Sequence, residues 1–277
     1  MFFLIISSFS YPKITSYFKS KYKNHIHNLE ITRLLKTNNC NVKIIDEVPF
    51  NSTVIIGHLY GSPANHNNFI DQKAQKFLID NKLKIKNLFL TGDVFHTPSL
   101  EKWVKLFDLL ERDMNLIIAP GNHDIGSLSS QEIFNKSIKH NISYPIVFKE
   151  ANNLFVFENS IESGWHIKEN TFQKINKLDK NKNIFLLRHN IAAKELIRLG
   201  NSRALLKNKL HDFKFIDESL ERDITIISGD GGAFQKLPRF FCRKIGNVKY
   251  IVNGIGGIKG DIVLIISNKE IFKYNIN

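Results

Sequence analysis

Cysteine is scarce in this chain. Its 277 residues include two, Cys40 and Cys242, with no CxxC pair and no framework spacing, so neither a thiolate zinc site nor a disulfide scaffold is expected and a reducing compartment is the default. Long apolar runs are also missing. None approaches the ~20 residues a membrane-spanning helix requires, so no transmembrane segment is expected and the protein reads as soluble or at most peripheral. The apolar start Met1-Phe2-Phe3-Leu4-Ile5-Ile6 has no basic flank and is broken by Ser7-Ser8, which reads as an ordinary terminal strand or helix rather than a secretion signal. These features set a cytoplasmic location as the expectation. Acidic residues are in deficit, 26 against 39 Lys and Arg, for a formal charge of +13. Such a field gathers anions, yet the lysines are scattered among Asn, Ile and Phe instead of clustered, and basic and aromatic residues do not interleave in a binding motif. Nucleic acid is therefore the weaker reading of the charge.

What is present is an alternation of two periodicities. Residues 1–52 read as an N-terminal accessory segment, with an amphipathic helix through Ile26, Leu29, Ile31, Leu34 and Leu35, and residues 53–277 as one domain. From Thr53 short apolar runs at Val54–Ile56, Leu88–Leu90 and Leu116–Ile118 are each followed by a Gly-containing turn. Helical spacing separates them at Phe69–Leu83 and Leu100–Met114, the second opened by Thr97-Pro98-Ser99. Further strands are expected at Asn153–Glu158, Asn183–Leu187, Ile224–Ile227, Lys249–Val252, Ile262–Ile266 and Glu270–Tyr274, and helices near Glu169–Leu178 and Ala192–Leu220. Stretches 126–143 and 160–169 are expected as loops. This order implies an α/β core.

Polar clusters stand directly after the strands. They are Gly57-His58-Leu59-Tyr60-Gly61, Gly92-Asp93, Gly121-Asn122-His123-Asp124, Arg188-His189-Asn190 and Gly229-Asp230-Gly231-Gly232. In open α/β sheets the carboxyl ends of strands converge on one edge, where ligands bind, so the five clusters are positioned to meet. Their Asp, Asn and His donors suit Mn, Fe, Zn or Mg. By contrast, Gly254-Ile255-Gly256-Gly257 lacks a following Gly-Lys-Ser/Thr and reads as a turn between strands, not a phosphate cradle.

In order and type, these clusters resemble the motif series of the calcineurin-like metallophosphoesterases, over roughly Thr53 to Ile266. The resemblance implies a four-layer αββα sandwich with one or two divalent ions held at the strand ends. Position by position, the family's DxHG falls on His58-Leu59-Tyr60-Gly61, so its Asp and His are here His58 and Tyr60. Its bridging Asp is Asp93, and the second Asp of GDxxD falls on His96. Asn122 and His123 match, His189 matches the isolated His, and GHxH falls on Gly229-Asp230-Gly231-Gly232. The implied metal ligands are His58, Asp93, Asn122, His189 and Asp230. One family metal position keeps Asp93, Asn122, His189 and Asp230; the other is left with His58, Tyr60, Asp93 and the side-chain-less Gly232. The site therefore holds either one well-bound ion or two in an altered shell.

The resemblance further implies hydrolysis of a phosphomonoester or phosphodiester by a metal-activated water. His123 is the expected acid for the leaving oxygen, with Asp124 or His96 as its nearest partners in catalysis. Tyr60 reads as a rim residue and Arg188 as a surface cation. The second reading is a non-catalytic member that keeps the fold and acts as a binding or assembly module.

Overall fold

The structure, a computed structural model, describes residues 40, 42–62, 69–110, 114–138, 143–163, 167–191, 222–233, 239–256 and 260–276. The helix expected through residues 26–35 and the helical stretch expected at 192–220 lie outside the described residues. The strands form two six-stranded sheets. One runs in the order β1 (Lys43–Ile44), β12 (Glu270–Asn275), β11 (Ile262–Ser267), β2 (Ser52–Ile56), β3 (Ile85–Leu90), β4 (Asn115–Ile118). The other runs β5 (Ile146–Glu150), β6 (Asn153–Phe157), β7 (Asn183–Arg188), β8 (Ile224–Ser228), β10 (Val248–Asn253), β9 (Phe240–Ile245).

Side-chain alternation assigns the layers. Along β2 and β3, Val54, Ile56, Leu88 and Leu90 pack outward with Ala74, Phe77 and Leu78 of helix α1 (Gln72–Asn81) and Trp103 and Leu106 of α2 (Leu100–Leu109). The residues between them, Ile55 and Phe89, face inward and meet Phe155, Phe157, Phe185 and Leu187 of the second sheet. Phe89 stands edge-on to Phe155 and Phe157 at 4.9 Å, and each buried ring of this layer contributes roughly 1.5–3 kcal/mol. On the far side Leu154, Val156, Ile184 and Leu186 pack with Ile175 of α6 (Glu169–Asn176). Helix, sheet, sheet and helix make the αββα sandwich. Helix starts follow local chemistry: Asp71 accepts from the Lys73 and Ala74 amides ahead of α1, and Ser99 from Lys102 ahead of α2, caps worth about 1 kcal/mol each.

Three strands and three helices were not expected from sequence. β1, β5 and β9 are sheet edges, half-covered, and so lack the continuous apolar run that marks a buried strand. Helix α3 (Asn122–Ile125) occupies the turn after β4, and stretches 126–143 and 160–169, where loops were expected, hold α4 (Leu128–Ser137) and α5 (Ser160–Ser163). α4 is started by a capping box, Ser127 Oγ accepting the Ser130 amide and Ser130 Oγ the Ser127 amide, which sequence reading passed over because its polar face outweighs Ile133 and Phe134.

The cysteine expectation is corrected too. Cys40 and Cys242 form a disulfide with Cα atoms 5.4 Å apart across 202 residues. A single long-range pair leaves no spacing pattern, and these two meet because the edge strands β1 and β9 close the same side of the sandwich. Residues 40 and 42–52, the described part of the expected accessory segment, pack on the frame: Lys43–Ile44 pairs with Phe272–Lys273, Val42 lies in the inter-sheet layer and Val48 in the outer one.

Two polar clusters interrupt this apolar interior at opposite ends. Near the strand starts, Glu150 reaches across to accept from Thr53 Oγ1 (2.7 Å) and Asn87 Nδ2 (2.8 Å), with Lys86 Nζ at 3.1 Å, and Asn115 Nδ2 donates to Asn87 Oδ1 at 2.8 Å. The other cluster lies where the strands end.

Candidate metal centre

Parallel register brings the strand ends together. Ile56 pairs with Leu90 and Leu90 with Ile118 in the first sheet, and Arg188 pairs with Ser228 and Ser228 with Val252 in the second. The turns after these strands therefore emerge along one edge. There the two sheets touch through backbone: Gly57 lies so close to Gly229 that a Cβ on it would stand 2.4 Å from the Gly229 Cα, so glycine at both positions lets the chains carrying His58 and Asp230 approach. His58 and Asp93 adopt left-handed backbone, φ 54° and 55°, a strained state that persists where the surroundings impose it and that clusters at functional sites.

The predicted residues converge. Asp93 Oδ2 lies 3.7 Å from His58 Nε2 and Oδ1 lies 3.5 Å from His189 Nε2. His189 Nε2 is also 3.2 Å from Asn122 Oδ1 and 3.7 Å from Asp230 Oδ1. One donor atom each from His58, Asp93 and Asp230 falls within a mutual 4.8 Å.

Main-chain carbonyls orient every ring. His58 Nδ1 contacts the Ile255 carbonyl at 3.2 Å, His189 Nδ1 the Thr91 carbonyl at 3.1 Å and His123 Nδ1 the His96 carbonyl at 2.6 Å. A carbonyl only accepts, so in each case the proton is on Nδ1 and, in the neutral ring, Nε2 presents a lone pair. For His58 and His189 that lone pair faces the oxygens of Asp93, Asp230 and Asn122. Acceptor facing acceptor is repulsive in a buried site, and a cation between them relieves it. The donor set, two carboxylates, two imidazoles and an amide oxygen, suits a divalent ion of the Mn, Fe, Zn or Mg kind.

The electrostatics agree with this arrangement. Burial drives His58 down to about 4 despite the Asp93 charge, leaving it neutral near pH 7. His189 is also disfavoured as a cation by burial, but Asp93 and Asp230 outweigh that and raise it; without a metal, a proton on Nε2 fills the gap. Burial pushes Asp230 up to about 6, with His189 opposing and Asp93 adding to the rise. Metal binding therefore displaces protons.

The remaining predicted residues hold different positions. Asp124 is buried, and its carboxylate accepts the backbone amides of Asp93 (2.8 Å), Gly121 (2.8 Å) and Val94 (3.0 Å), tying the turn after β3 to the turn after β4. Burial, then the Asp93 charge, push it up to about 6 against those amides. The His96 ring is exposed, with Nδ1 3.3 Å from Thr97 Oγ1 and its centroid 4.9 Å from that of His123; its carbonyl, not its ring, fixes His123. Tyr60 packs 4.3 Å from the His58 ring and 5.1 Å from the His123 ring, with its hydroxyl 3.5 Å from His123 Nε2. Arg188, expected at the surface, is fully buried with Nε 3.4 Å from Glu158 Oε2.

Sequence reasoning passed over the three orienting carbonyls, which carry no residue-type signal. It also passed over Arg239, whose Nη1 donates to the Gly231 carbonyl at 3.1 Å and so braces the turn that bears Asp230.

A family model described as calcineurin-like phosphoesterase matches residues 71–254, about two thirds of the chain. That span contains Asp93, Asn122, His123, His189 and Asp230 and begins after His58 and Tyr60. No curated protein matches the chain. Among solved structures it is similar to a conserved uncharacterized protein of Streptococcus pneumoniae TIGR4, described as a predicted phosphoesterase, with 9% identity, 78% of this chain and 83% of that chain covered, and a TM-score of 0.30.

Proposed function

Because the chain belongs to the calcineurin-like phosphoesterases, we propose that it is a metal-dependent hydrolase of a phosphomonoester or phosphodiester. The observation that carries this reading is the pair of buried imidazoles, His58 and His189, whose Nε2 lone pairs face Asp93 at 3.7 and 3.5 Å, an arrangement suited to a cation. His58, Asp93, Asn122, His189 and Asp230 would hold a divalent ion. Such an ion supplies Lewis-acid stabilisation of phosphate oxygens and lowers the pKa of an attacking water.

The rest of the chemistry falls to this chain's own groups. His123 is the acid for the leaving oxygen: Nδ1–H is locked on the His96 carbonyl, so Nε2 is the nitrogen turned to the reaction, and it must be protonated to donate. The Tyr60 hydroxyl stands 3.5 Å from that nitrogen. Asp124 acts through the backbone, since by holding the amides of Asp93 and Gly121 it fixes the distance between the Asp93 carboxylate and the acid. The basic surface of a chain at +13 favours arrival of an anionic ester.

A second reading, a non-catalytic binding or assembly module, is favoured by Tyr60, which puts a phenol where a stronger ligand would aid turnover. Hydrolysis of p-nitrophenyl phosphate and bis-p-nitrophenyl phosphate in added Mn separates the two. Turnover that disappears in Asp93→Asn and His123→Ala supports the enzyme. A folded, metal-bearing chain with no turnover sensitive to either substitution supports the module. Among the described residues no helix is long and apolar enough to cross a membrane. The cytoplasmic location expected from composition competes with the Cys40–Cys242 disulfide, since such bonds persist in oxidising compartments; alkylation of intact cells before lysis, read on non-reducing gels, decides between them.

A further inference from the structure

We infer that this centre holds a single divalent ion, because Tyr60 closes the side of Asp93 on which a second would require ligands. The inference rests on the metal-centre reading above and specifies its stoichiometry.

Donor geometry is the first support. Two ligands bound at about 2.1 Å to one ion lie about 3.0 Å apart at right angles and about 4.2 Å apart across it. Separations of 3.2 Å for Asn122 with His189, 3.5 and 3.7 Å for Asp93 with the two imidazoles, and 3.7 Å for His189 with Asp230 fall within that span. The mutual 4.8 Å limit for His58, Asp93 and Asp230 places those three donors about one centre, and His189 approaches it from the other oxygen of Asp93 and from Asp230. His58 thus shares a centre with Asp93 and Asp230 instead of founding another.

Charge is the second. The carboxylates facing this space are Asp93 and Asp230, which neutralise one divalent ion. Asp124 is the third buried acid nearby, and its oxygens are occupied by three amides. A second ion would leave two positive charges uncompensated by protein among side chains that are almost fully buried, His58 at 1% and His189 at 0% exposure, and unpaired buried charge is strongly unfavourable.

The third support is what stands on the other side. Two-metal sites place their ions roughly 3.5–4 Å apart, and beyond His58 that distance leads to an aromatic cluster. The Tyr60 ring lies 4.3 Å from the His58 ring, 5.1 Å from His123 and 5.3 Å from His96. Among the described residues the one group of three or more metal-competent side chains is His58, Asp93 and Asp230; this cluster does not form a second.

The test uses the full chain, stripped with chelator, reloaded with excess Mn(II) and desalted. Elemental analysis and electron paramagnetic resonance are read together. The native chain is expected to retain one Mn per chain with an isolated-ion spectrum. Tyr60→His is expected to gain a second Mn per chain and a spin-coupled spectrum, and Tyr60→Phe to stay at one. Two Mn per native chain, or a coupled native spectrum, overturns the inference and leaves the metal-centre reading standing. A Tyr60→His chain that remains at one, or a folded Tyr60→Phe chain that falls well below one, overturns the role given to Tyr60. No Mn on a folded native chain overturns both readings. Native stoichiometry decides the central point even where Tyr60→His fails to fold.

Discussion

The two polar clusters inside the sandwich are built from similar residues and behave oppositely. At the strand starts, Glu150 is answered by donors on every side: a threonine hydroxyl, an asparagine amide and a lysine. At the strand ends, the acceptors of Asp93, Asp230, Asn122, His58 and His189 face one another. The first cluster is complete as folded, and its members cross-link the sheets. The second is complete only with something positive at its centre, and its backbone is held in left-handed conformations to keep it so. Satisfaction of hydrogen bonds, more than residue type, separates a structural polar cluster from a ligand site. Asp124 lies among the second group by position and belongs to the first by bonding.

The contrast breaks most visibly at Asp93. Asp93→Asn keeps a residue tolerant of positive φ but removes the charge shared by both imidazoles. Turnover is expected to fall by roughly 10²–10³-fold and Mn retention to be lost, with near-native circular dichroism; retained Mn would place the ion elsewhere. Asp124→Ala should act on stability first, stranding three amides at about 1–3 kcal/mol each and lowering the thermal midpoint whether or not Mn is present. Glu150→Ala strands Thr53 Oγ1 and Asn87 Nδ2 at the other end, costing about 1–3 kcal/mol in urea titrations while leaving Mn content untouched. A drop in Mn content there would show that the two ends are coupled.

Acid should also distinguish the ends. The Glu150 carboxyl is held below its usual value: burial raises it, but bonds from Thr53, Lys86 and Asn87 win. Its contribution is therefore present above the unfolded carboxylate range and lost as pH falls through the lowered value. Asp124, raised to about 6, has the opposite sign: its contribution is full below the unfolded value near 4 and lost as pH rises through about 6. Thermal midpoints in chelator across this window, with Glu150→Gln and Asp124→Asn as references, measure both signs. Smallest of all should be His96→Ala. Its carbonyl orients His123 and its ring is exposed, so turnover is expected to change by no more than about threefold.

Much of this architecture was legible in the chain. Val54–Ile56, Leu88–Leu90 and Ile184–Leu187 are buried on both faces, so their apolar runs identify them; Leu116–Ile118, half-buried at a sheet edge, keeps an apolar run as well, and the Gly-Asp and Gly-Asn-His-Asp turns that follow mark the edge where ligands gather. Strands β1, β5 and β9, exposed or only partly covered, mix Lys, Glu or Arg with their apolar residues and were illegible for the converse reason. Within the site, side chains could be named but not assigned their partners. Asp124 gives no sign in sequence that its oxygens are taken by backbone amides, and Ile255 gives none that its carbonyl holds His58. Position 60 showed that a ligand type had changed; that its ring packs between His58 and His123 required coordinates.

The Cys40–Cys242 bond also changes how the molecule transmits force. Tension applied at the two ends of the oxidised chain passes through residues up to 40, across the sulfur bridge and on through 242 to the C-terminus, so the strands peeled by the load are those after Cys242: the remainder of β9, then β10, β11 and β12. The span enclosed between the two cysteines, a sequence separation of 202, carries Asp93, Asn122, His189 and Asp230 and lies outside the load path. At about 3.5 Å per residue, roughly 700 Å of contour is withheld from extension until a reductant frees it, a step that force spectroscopy with and without dithiothreitol would record directly.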